Sequence, residues 1–256
     1  MQKTGKKVPT AEPDVKVPWK CPINFIMLSR PMRPLDDIFV VDLSRILSGP
    51  ICTMMLADMG ANVIKVEPPP FGDDSRSWGP PFVGGMSTYF HSINRNKKSL
   101  GLNLRTEAGR RILWQLLERA DVLIENFKPG VLEKLGFGFP AVSERRPSLV
   151  YCSISGFGQT GPYRSRPGYD VVAQGESGLM DLTGFPDGPP ARIGTSISDI
   201  VTGMFATQGI LLALLARVRS GKGQWVDISL LDSSVATLTY QAQAYLMAGR
   251  IPRRMG

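Results

Sequence analysis

From Pro34 onward, the sequence alternates short runs of β-branched and apolar residues with longer stretches of helical periodicity. Six runs are predicted as strands: residues 38–43, 62–67, 99–104, 122–125, 149–155 and 225–231. Helices are predicted over residues 50–60, after Thr106 as N-cap, and over 129–135, 200–219 and 233–247. Because right-handed crossovers leave few other arrangements, this alternation predicts an α/β fold, a doubly wound parallel sheet.

Two long segments lack this rhythm. About thirty residues after Glu67 include five prolines, which are too many for a helix or a central strand. Residues 156–198 are rich in glycine and proline. Loops as long as the first segment are usually functional or covered by a partner.

The second segment begins with a GxGxxG motif, Gly156-Phe-Gly-Gln-Thr-Gly161, directly after a predicted strand. A dinucleotide site needs a helix that opens at the third glycine, so that its N-terminus meets the pyrophosphate. Pro167 and Gly168 would break such a helix within two turns. The motif therefore predicts a turn-rich loop rather than a nicotinamide site.

The counts of cysteine and histidine exclude several kinds of site. Cys21, Cys52 and Cys152 are too few and too widely spaced for a disulfide framework or a CxxC zinc site. A reducing compartment is the resulting prediction. The single histidine, His91, argues against a Ser-His-Asp hydrolase and a multi-histidine metal centre, and a ring packed in a loop is the favoured interpretation. No metal site is predicted.

The positive charge is concentrated at the N-terminus. The formal net charge is +8, and residues 1–33 carry seven Lys and Arg against two acidic residues. These residues are proline-rich without apolar periodicity, which predicts a flexible basic extension. The mildly basic remainder favours small anionic ligands over nucleic acid. A membrane span is not predicted, because no uninterrupted apolar run approaches about eighteen residues.

Asp199 stands at the start of the longest predicted helix, after the glycine-rich segment. An aspartate there is predicted to be the N-cap, since it accepts a backbone N–H and is favoured by the helix dipole. A carboxylate held in this way is also able to attack a reactive acyl group, and the two roles are compatible. Arg105, Lys128 and Lys134 follow predicted strands, where parallel sheets bind phosphates, although solvated surface charge explains them equally well.

Several motifs together resemble the class III CoA-transferase family (CaiB/BaiF type). The resemblance covers residues 34–256 and rests on seven stretches, at residues 42–50, 60–67, 72–74, 94–99, 125–130, 155–162 and 221–224. Within them, Asp42-Leu-Ser-Arg-Ile-Leu-Ser-Gly-Pro50 and Gly60-Ala-Asn-Val-Ile-Lys-Val-Glu67 are the longest. Residues 72–84 with Ser87-Thr-Tyr89 look closest to the succinyl-CoA:glutarate (dicarboxylate) branch.

The resemblance implies a Rossmann-like large domain and an enzyme that moves CoA from an acyl-CoA to a carboxylic acid. In the family an aspartate attacks the thioester, and the matching position is Asp199, ahead of Gly203. Residues matching CoA contacts are Leu102, Asn103, Leu104, Arg105, Asn126, Phe127, Lys128, Lys134, Tyr169 and Asp170. The implied partners are an acyl-CoA, a small carboxylic acid and a second copy in an interlocked homodimer. Coenzyme A is implied as a substrate, with no permanently bound cofactor.

Three departures from family patterns matter. Leu47 replaces a polar residue of formyl-CoA transferases, and Pro68 replaces an arginine that contacts CoA in some members. Tyr169 replaces a catalytic histidine of the racemase branch, and a phenol with an unperturbed pKa of about 10 is a poor base at neutral pH. An α-methylacyl-CoA racemase is therefore the weaker enzymatic alternative.

Family members are longer than this chain. The resemblance assigns residues 34–230 to the large CoA-binding domain and residues 231–256 to a helix and the start of a linker to a smaller domain. We therefore expect a C-terminally truncated chain with the smaller domain largely absent, and an inactive CoA-binding or dimerisation fragment is the alternative function. The expected location is the cytoplasm, or the mitochondrion if the source is eukaryotic.

Overall fold

The structure, a computed structural model, describes residues 33–254. Its main strands are β1 (Phe39–Asp42), β2 (Asn62–Glu67), β5 (Lys97–Gly101), β6 (Val122–Glu125), β7 (Val150–Ser155) and β8 (Trp225–Ser229). These six form one parallel sheet in the order β5-β2-β1-β6-β7-β8. A separate hairpin consists of β3 (Phe82–Val83) and β4 (Met86–Ser87). The predicted doubly wound α/β fold is confirmed.

The helices lie between the strands as predicted, with several additions. They are α1 (Ser48–Asp58), α2 (Thr88–Asn94), α3 (Glu107–Leu117), α4 (Val131–Lys134), α5 (Phe139–Arg145), α6 (Asp170–Glu176), α7 (Leu179–Leu182), α8 (Ile197–Ser220), α9 (Leu230–Ala236) and α10 (Tyr240–Ala248). Thr106 caps α3, since its side chain accepts from Gly109 N, and Gly221 ends α8 in a left-handed conformation. The Thr106 cap agrees with prediction, and Gly221 follows directly on the predicted bound of residue 219 and the observed last residue, Ser220.

Four local predictions were wrong. The third strand, predicted over residues 99–104, begins two residues earlier and ends three residues earlier, at Lys97–Gly101. The first irregular segment ends in α2, which Ser87 caps by accepting from Phe90 N. The second contains α6 and α7, and the last predicted helix is split into α9 and α10. Short helices were missed because too few turns are present to establish an apolar period. The GxGxxG motif forms bends and turns with no helix before Asp170, as predicted.

The central strands of the sheet, β1, β6 and β7, are buried because helices and loops cover both faces of the sheet. One apolar cluster contains Val40, Ile124 and Cys152 with residues of α1 and α8. The other contains Val41, Leu123 and Tyr151 with residues of α3 and the segment around Phe137. Neighbouring strand residues alternate between the two clusters, as the two-residue period of a strand requires.

Helix α8 is the longest element, and its length and mean hydropathy of 1.6 are sufficient to cross a bilayer. The sequence analysis predicted no membrane span because it counted uninterrupted apolar residues, and threonine, glutamine and glycine interrupt the apolar run of α8. A core helix of a globular domain meets the same criterion, and eight residues of α8 are buried here. Hydropathy by itself therefore does not separate these two possibilities.

Gly203 lets α8 approach α1 closely. A Cβ at this position would lie 2.7 Å from the Ser48 carbonyl oxygen and 3.0 Å from Ile51 Cγ2. We expect Gly203→Ala to lower the free energy of unfolding by about 1–3 kcal/mol, because the helices must separate. Urea denaturation measures this.

Gly175→Ala is the matched control. Its nearest neighbour would be Met180 Sδ at 3.8 Å, so the change is expected to be neutral or to stabilise by up to about 1 kcal/mol. Equal effects of the two substitutions would contradict the close approach of α1 and α8.

The predicted basic extension, residues 1–33, and Cys21 lie outside the described residues except for Arg33. Cys52 and Cys152 are buried and free. Among residues 33–254, no group of three His, Cys, Asp or Glu side chains is placed to hold a metal ion.

Candidate active site

From β1 the chain adds strands towards one edge of the sheet, and from β6 it adds them towards the other edge. Hydrogen bonds connect the loops that follow β1 and β6 at this point. Arg45 N donates to Asn126 Oδ1 at 2.8 Å, and Asn126 Nδ2 donates to the Arg45 carbonyl oxygen at 2.8 Å. Ligands of open α/β sheets bind outside the carboxyl ends of the strands at such a switch point. Two cavities lie here, with Arg45 lining one and Asn126 lining the other.

The larger cavity has a volume of about 510 Å³ and lies beside the carboxyl ends of β1, β2, β5 and β6. Five residues matched to CoA contacts line it: Leu102, Asn103, Leu104, Arg105 and Phe127. Leu102 is buried, whereas Arg105 is exposed at the rim. An apolar floor with cationic edges suits a flat ring that carries anionic groups.

The smaller cavity has a volume of about 230 Å³ and contains Asp199. Asn126, Lys128, Tyr169 and Asp170, also matched to CoA contacts, line it as well. Lys128 and Tyr169 are exposed. The candidate nucleophile and these four residues, which come from three separate parts of the sequence, therefore lie around one opening.

Two glycines bring Tyr169 and Asp170 to this opening. A Cβ on Gly156, just after β7, would lie 2.4 Å from the Gly168 Cα, and a Cβ on Gly168 would lie 2.1 Å from the Gly156 Cα. The two backbone segments touch, so neither position has room for a side chain. The GxGxxG loop thus contributes its first glycine to a backbone contact instead of a phosphate cradle.

Asp199 lies in the first turn of α8 and is not the N-cap, which is Ser196. The predicted N-cap role is therefore wrong by three residues, because the helix begins earlier than its apolar period does. Burial raises the pKa of the Asp199 carboxyl to about 7, the negative charge of Asp170 adds to this, and a hydrogen bond from Ser48 opposes it. A basic carboxylate that lines an opening is suited to nucleophilic attack.

The loop between β1 and α1, which leads directly to Ser48, is held by buried charges that the sequence analysis did not single out. Ile46 has a φ of 70°, which is strained for a β-branched residue, and its N–H donates to Asp73 Oδ2 at 3.2 Å. Lys65 Nζ lies 2.9 Å from Asp73 Oδ2 and donates to the Ser44 carbonyl oxygen at 2.7 Å. These bonds fix the backbone on both sides of Arg45.

A second buried pair, Lys97 and Asp42, contacts the first turn of α1. Lys97 Nζ lies 3.3 Å from Asp42 Oδ2 and donates to the Pro50 carbonyl oxygen at 2.9 Å. Burial lowers the pKa of Lys97 to about 8, against the opposing charge of Asp42. Burial alone would raise the pKa of Asp42, but Lys97, Lys65 and two hydroxyl groups outweigh it and hold that pKa below its usual value.

One predicted residue lies apart from both cavities, and Arg45 is a cationic lining residue that the sequence analysis did not assign to the site. Lys134 is exposed on α4, between the cavity residues Val131 and Leu135, and lines neither cavity of the described chain. Arg45 lines the larger cavity, with its guanidinium 5.3 Å from the centroid of the Phe127 ring. Its place directly after a predicted strand was the signal that would have identified it.

Comparison with known proteins agrees with this site. The sequence profile of CoA-transferase family III matches residues 35–256. Over 225 residues the chain is 49% identical to a succinyl-CoA:glutarate CoA-transferase of Mus musculus, covering 88% of this chain and 52% of that protein. It is 47% identical to an acetyl-CoA:oxalate CoA-transferase of Acetobacter aceti, covering 89% of this chain and 59% of that protein.

Solved structures show the same architecture. A CaiB/BaiF family protein from Brucella suis superposes with a TM-score of 0.85 at 50% identity, covering 88% of this chain and 60% of that one. The sheet order, the cavity that contains Asp199 and the match to the family profile therefore all support the same family assignment. The chain belongs to CoA-transferase family III, and it spans about half to three fifths of the length of these relatives.

Proposed function

We propose that the protein transfers CoA from an acyl-CoA to a small carboxylic acid, with Asp199 as the covalent nucleophile. The observation that carries this proposal is the position of Asp199, on the wall of a cavity that adjoins a larger cavity with an apolar floor and a cationic rim. The activity, substrates and partners of the whole protein are part of this proposal.

The reaction is a sequence of acyl transfers that needs only one carboxylate from the protein. An Asp199 oxygen attacks the thioester carbonyl, the carbon–sulfur bond breaks, and an acyl-aspartyl anhydride and CoA thiolate form. The thiolate then attacks the aspartyl carbonyl, which releases the first acid and leaves an aspartyl-CoA thioester. The second acid attacks this thioester to give a new anhydride, and the thiolate attacks its acyl carbonyl, which regenerates Asp199.

The two cavities suggest how CoA binds. The adenine is proposed to lie on Leu102, Leu104 and Phe127, because these residues supply the apolar part of the larger cavity. The phosphates are proposed to contact Arg105, Lys128 and Lys134, which are exposed cations in the segments that follow β5 and β6. The pantetheine arm would then cross the Arg45–Asn126 pair towards Asp199, with Asn103, Tyr169 and Asp170 beside its path.

A dicarboxylic acid is the proposed acceptor, and succinyl-CoA the proposed donor. The relatives described above carry names with glutarate or oxalate, both dicarboxylates. Leu47 and Ile46 line the smaller cavity with apolar side chains, which favours an acid with methylene groups over oxalate. Initial rates with glutarate, succinate and oxalate at equal concentration separate these alternatives.

The covalent intermediate gives the decisive test. The chain is incubated with succinyl-CoA and hydroxylamine, and peptides are examined by mass spectrometry. We expect a hydroxamate at Asp199, because hydroxylamine captures anhydrides and thioesters of the aspartyl carboxyl group. CoA exchange without any modification of Asp199 would reject the proposed role.

An inactive CoA-binding fragment is the second candidate, since the chain spans only part of its relatives' length. CoA binding by calorimetry without CoA exchange would favour it.

We also propose homodimer formation, supported by exposed apolar residues on α8 and α10 such as Leu212, Leu215 and Leu246, and measurable by sedimentation. We propose a cytoplasmic or mitochondrial location, because Cys52 and Cys152 are free and free thiols are typical of reducing compartments. We propose neither nucleic acid nor a membrane as a partner.

A further inference from the structure

The carboxylate of Asp170 lines the smaller cavity and also accepts hydrogen bonds from other residues of the protein. Its Oδ1 accepts from Ser198 N at 2.8 Å and from Asp199 N at 3.3 Å, so it serves the first turn of α8 from outside that helix. Its Oδ2 accepts from Gln174 Nε2 at 2.7 Å. The backbone of the candidate nucleophile is therefore bonded to a second carboxylate, 29 residues earlier in the chain.

Gln174 fixes this second carboxylate. Its side chain is fully buried and both ends of its amide are used. Besides donating to Asp170, Nε2 lies 3.3 Å from the Thr195 carbonyl oxygen, and Oε1 accepts from Ile193 N at 2.8 Å. Gln174 thus ties α6 to the segment that leads into α8, and a buried amide with these partners has a single favourable orientation.

The charged and titratable groups that face Asp199 come from several elements. Asp170 on α6 is the charge that acts on it most strongly, and Lys128 and Tyr169 line the same cavity. Tyr89 on α2 lies near enough that Asp199 contributes, after burial, to raising the pKa of its phenol to about 12. On α1 the contribution is the neutral hydroxyl of Ser48. On α9, the Asp232 carboxylate is engaged elsewhere, since it accepts from Ser229 Oγ at 2.7 Å.

We propose that Asp170, oriented by Gln174, is a positioning residue for Asp199: it fixes the first turn of α8 and keeps a negative charge beside the nucleophile. This inference rests on the proposed function of Asp199. Like charges in proximity disfavour ionisation, so Asp170 makes the Asp199 oxygen more basic and a stronger nucleophile once it is ionised. A role as a direct CoA contact, which the family resemblance implies, predicts different behaviour.

The test measures the titration of Asp199 itself, in the 256-residue chain without substrate. Aspartate carboxyl carbons are labelled with ¹³C, and the Asp199 signal is identified by its absence from Asp199→Asn. We expect Asp170→Asn to lower the titration midpoint of Asp199 by about one pH unit, because the neighbouring charge is removed. Glu176→Gln is the matched control, since it removes one negative charge from the same helix at an exposed pair with Arg166 and should leave the midpoint in place.

A second variant covers the case in which Asp170→Asn does not fold. The introduced asparagine would face the Gln174 amide with a second donor, whereas the double variant Asp170→Asn, Gln174→Glu restores an acceptor and moves the charge one side chain away from Asp199. Its midpoint is also expected to fall. Exchange of the Ser198 and Asp199 amide protons, measured beside it, reports whether the first turn stays ordered.

The outcomes separate three cases. A lowered midpoint with CoA affinity changed less than about threefold supports the positioning role. An unchanged midpoint overturns it, and an unchanged midpoint with CoA binding weakened about tenfold or more assigns Asp170 to CoA contact instead. Because the titration requires no turnover, it is independent of the hydroxylamine experiment on the unmodified chain, so failure of the proposed function is recognised separately.

Discussion

Replacing Asp199 with asparagine is expected to reduce CoA exchange at least about a thousandfold, because an amide cannot form the acyl anhydride. The asparagine side chain has nearly the shape of the aspartate, and the first turn of α8 is held through backbone N–H groups that remain. CoA affinity should therefore change little. The measurement is a pair of assays on one preparation, exchange of labelled CoA and calorimetric CoA binding.

Two further variants sharpen this result. Asp199→Ala should be as inactive as Asp199→Asn. Alanine cannot revert to aspartate, whereas slow deamidation of the introduced asparagine would restore some activity. Asp37→Asn is the matched control, since Asp37 is exposed and precedes β1, at the end of the strand opposite the cavities. Full exchange activity in Asp199→Ala would contradict the covalent mechanism.

The raised pKa of Asp199 gives the same experiment a pH dependence. The attacking species is the carboxylate, and burial together with Asp170 raises its pKa to about 7. The exchange rate is therefore expected to rise through about pH 7 and to level off above it. An acid limb near the ordinary aspartate pKa of 3.8 would show that Asp199 ionises independently of its surroundings.

Lys65→Met is expected to lower the free energy of unfolding by about 3–5 kcal/mol, the largest effect on stability among the predictions made. The Lys65 and Asp73 side chains are 2% and 0% exposed, and their Nζ and Oδ2 atoms are 2.9 Å apart. Methionine fills a similar volume but leaves the buried carboxylate without this cation. The Ser44 carbonyl oxygen also loses its donor. Urea denaturation at neutral pH measures the loss.

Lys98→Met is the matched control on the edge strand β5. Lys98 is exposed and donates to Asn62 Oδ1 at 3.0 Å, so its loss is expected to change the free energy of unfolding by less than about 0.5 kcal/mol. A Lys65 variant as stable as the Lys98 variant would show that Asp73 does not depend on its buried cation.

Much of the fold was predictable because it depends on neighbours in sequence. Strands buried on both faces require apolar runs, and Asn62–Glu67 and Val122–Glu125 were predicted with the bounds that the structure shows. Thr106 and Gly221 carry local end signals that do not depend on the rest of the chain. The short helices α2, α6 and α7 were not predicted, since their stability comes from packing rather than from an apolar period.

The candidate site was predictable only in part. Motif position and resemblance assigned eleven site residues, of which all but Lys134 line the two cavities, and the structure places Asp199 in one cavity with Lys128, Tyr169 and Asp170. Their orientation was not accessible, because hydrogen bonds such as those from Asn126 to Arg45 join residues 81 positions apart. The N-cap prediction failed because α8 begins before its apolar period does, which places Asp199 in the first turn, where its backbone N–H donates to Asp170 on another helix.

The sequence by itself determined the alternation of strands and helices, the positions of several helix ends and the identity of the residues with reactive groups. These are local properties of the chain. Only the tertiary structure decided which of those groups share a cavity, that Ile46 is held by Asp73, and that a second carboxylate lies beside Asp199. The physical reason is that charge interaction and burial depend on distance in space, and folding sets those distances between residues far apart in sequence.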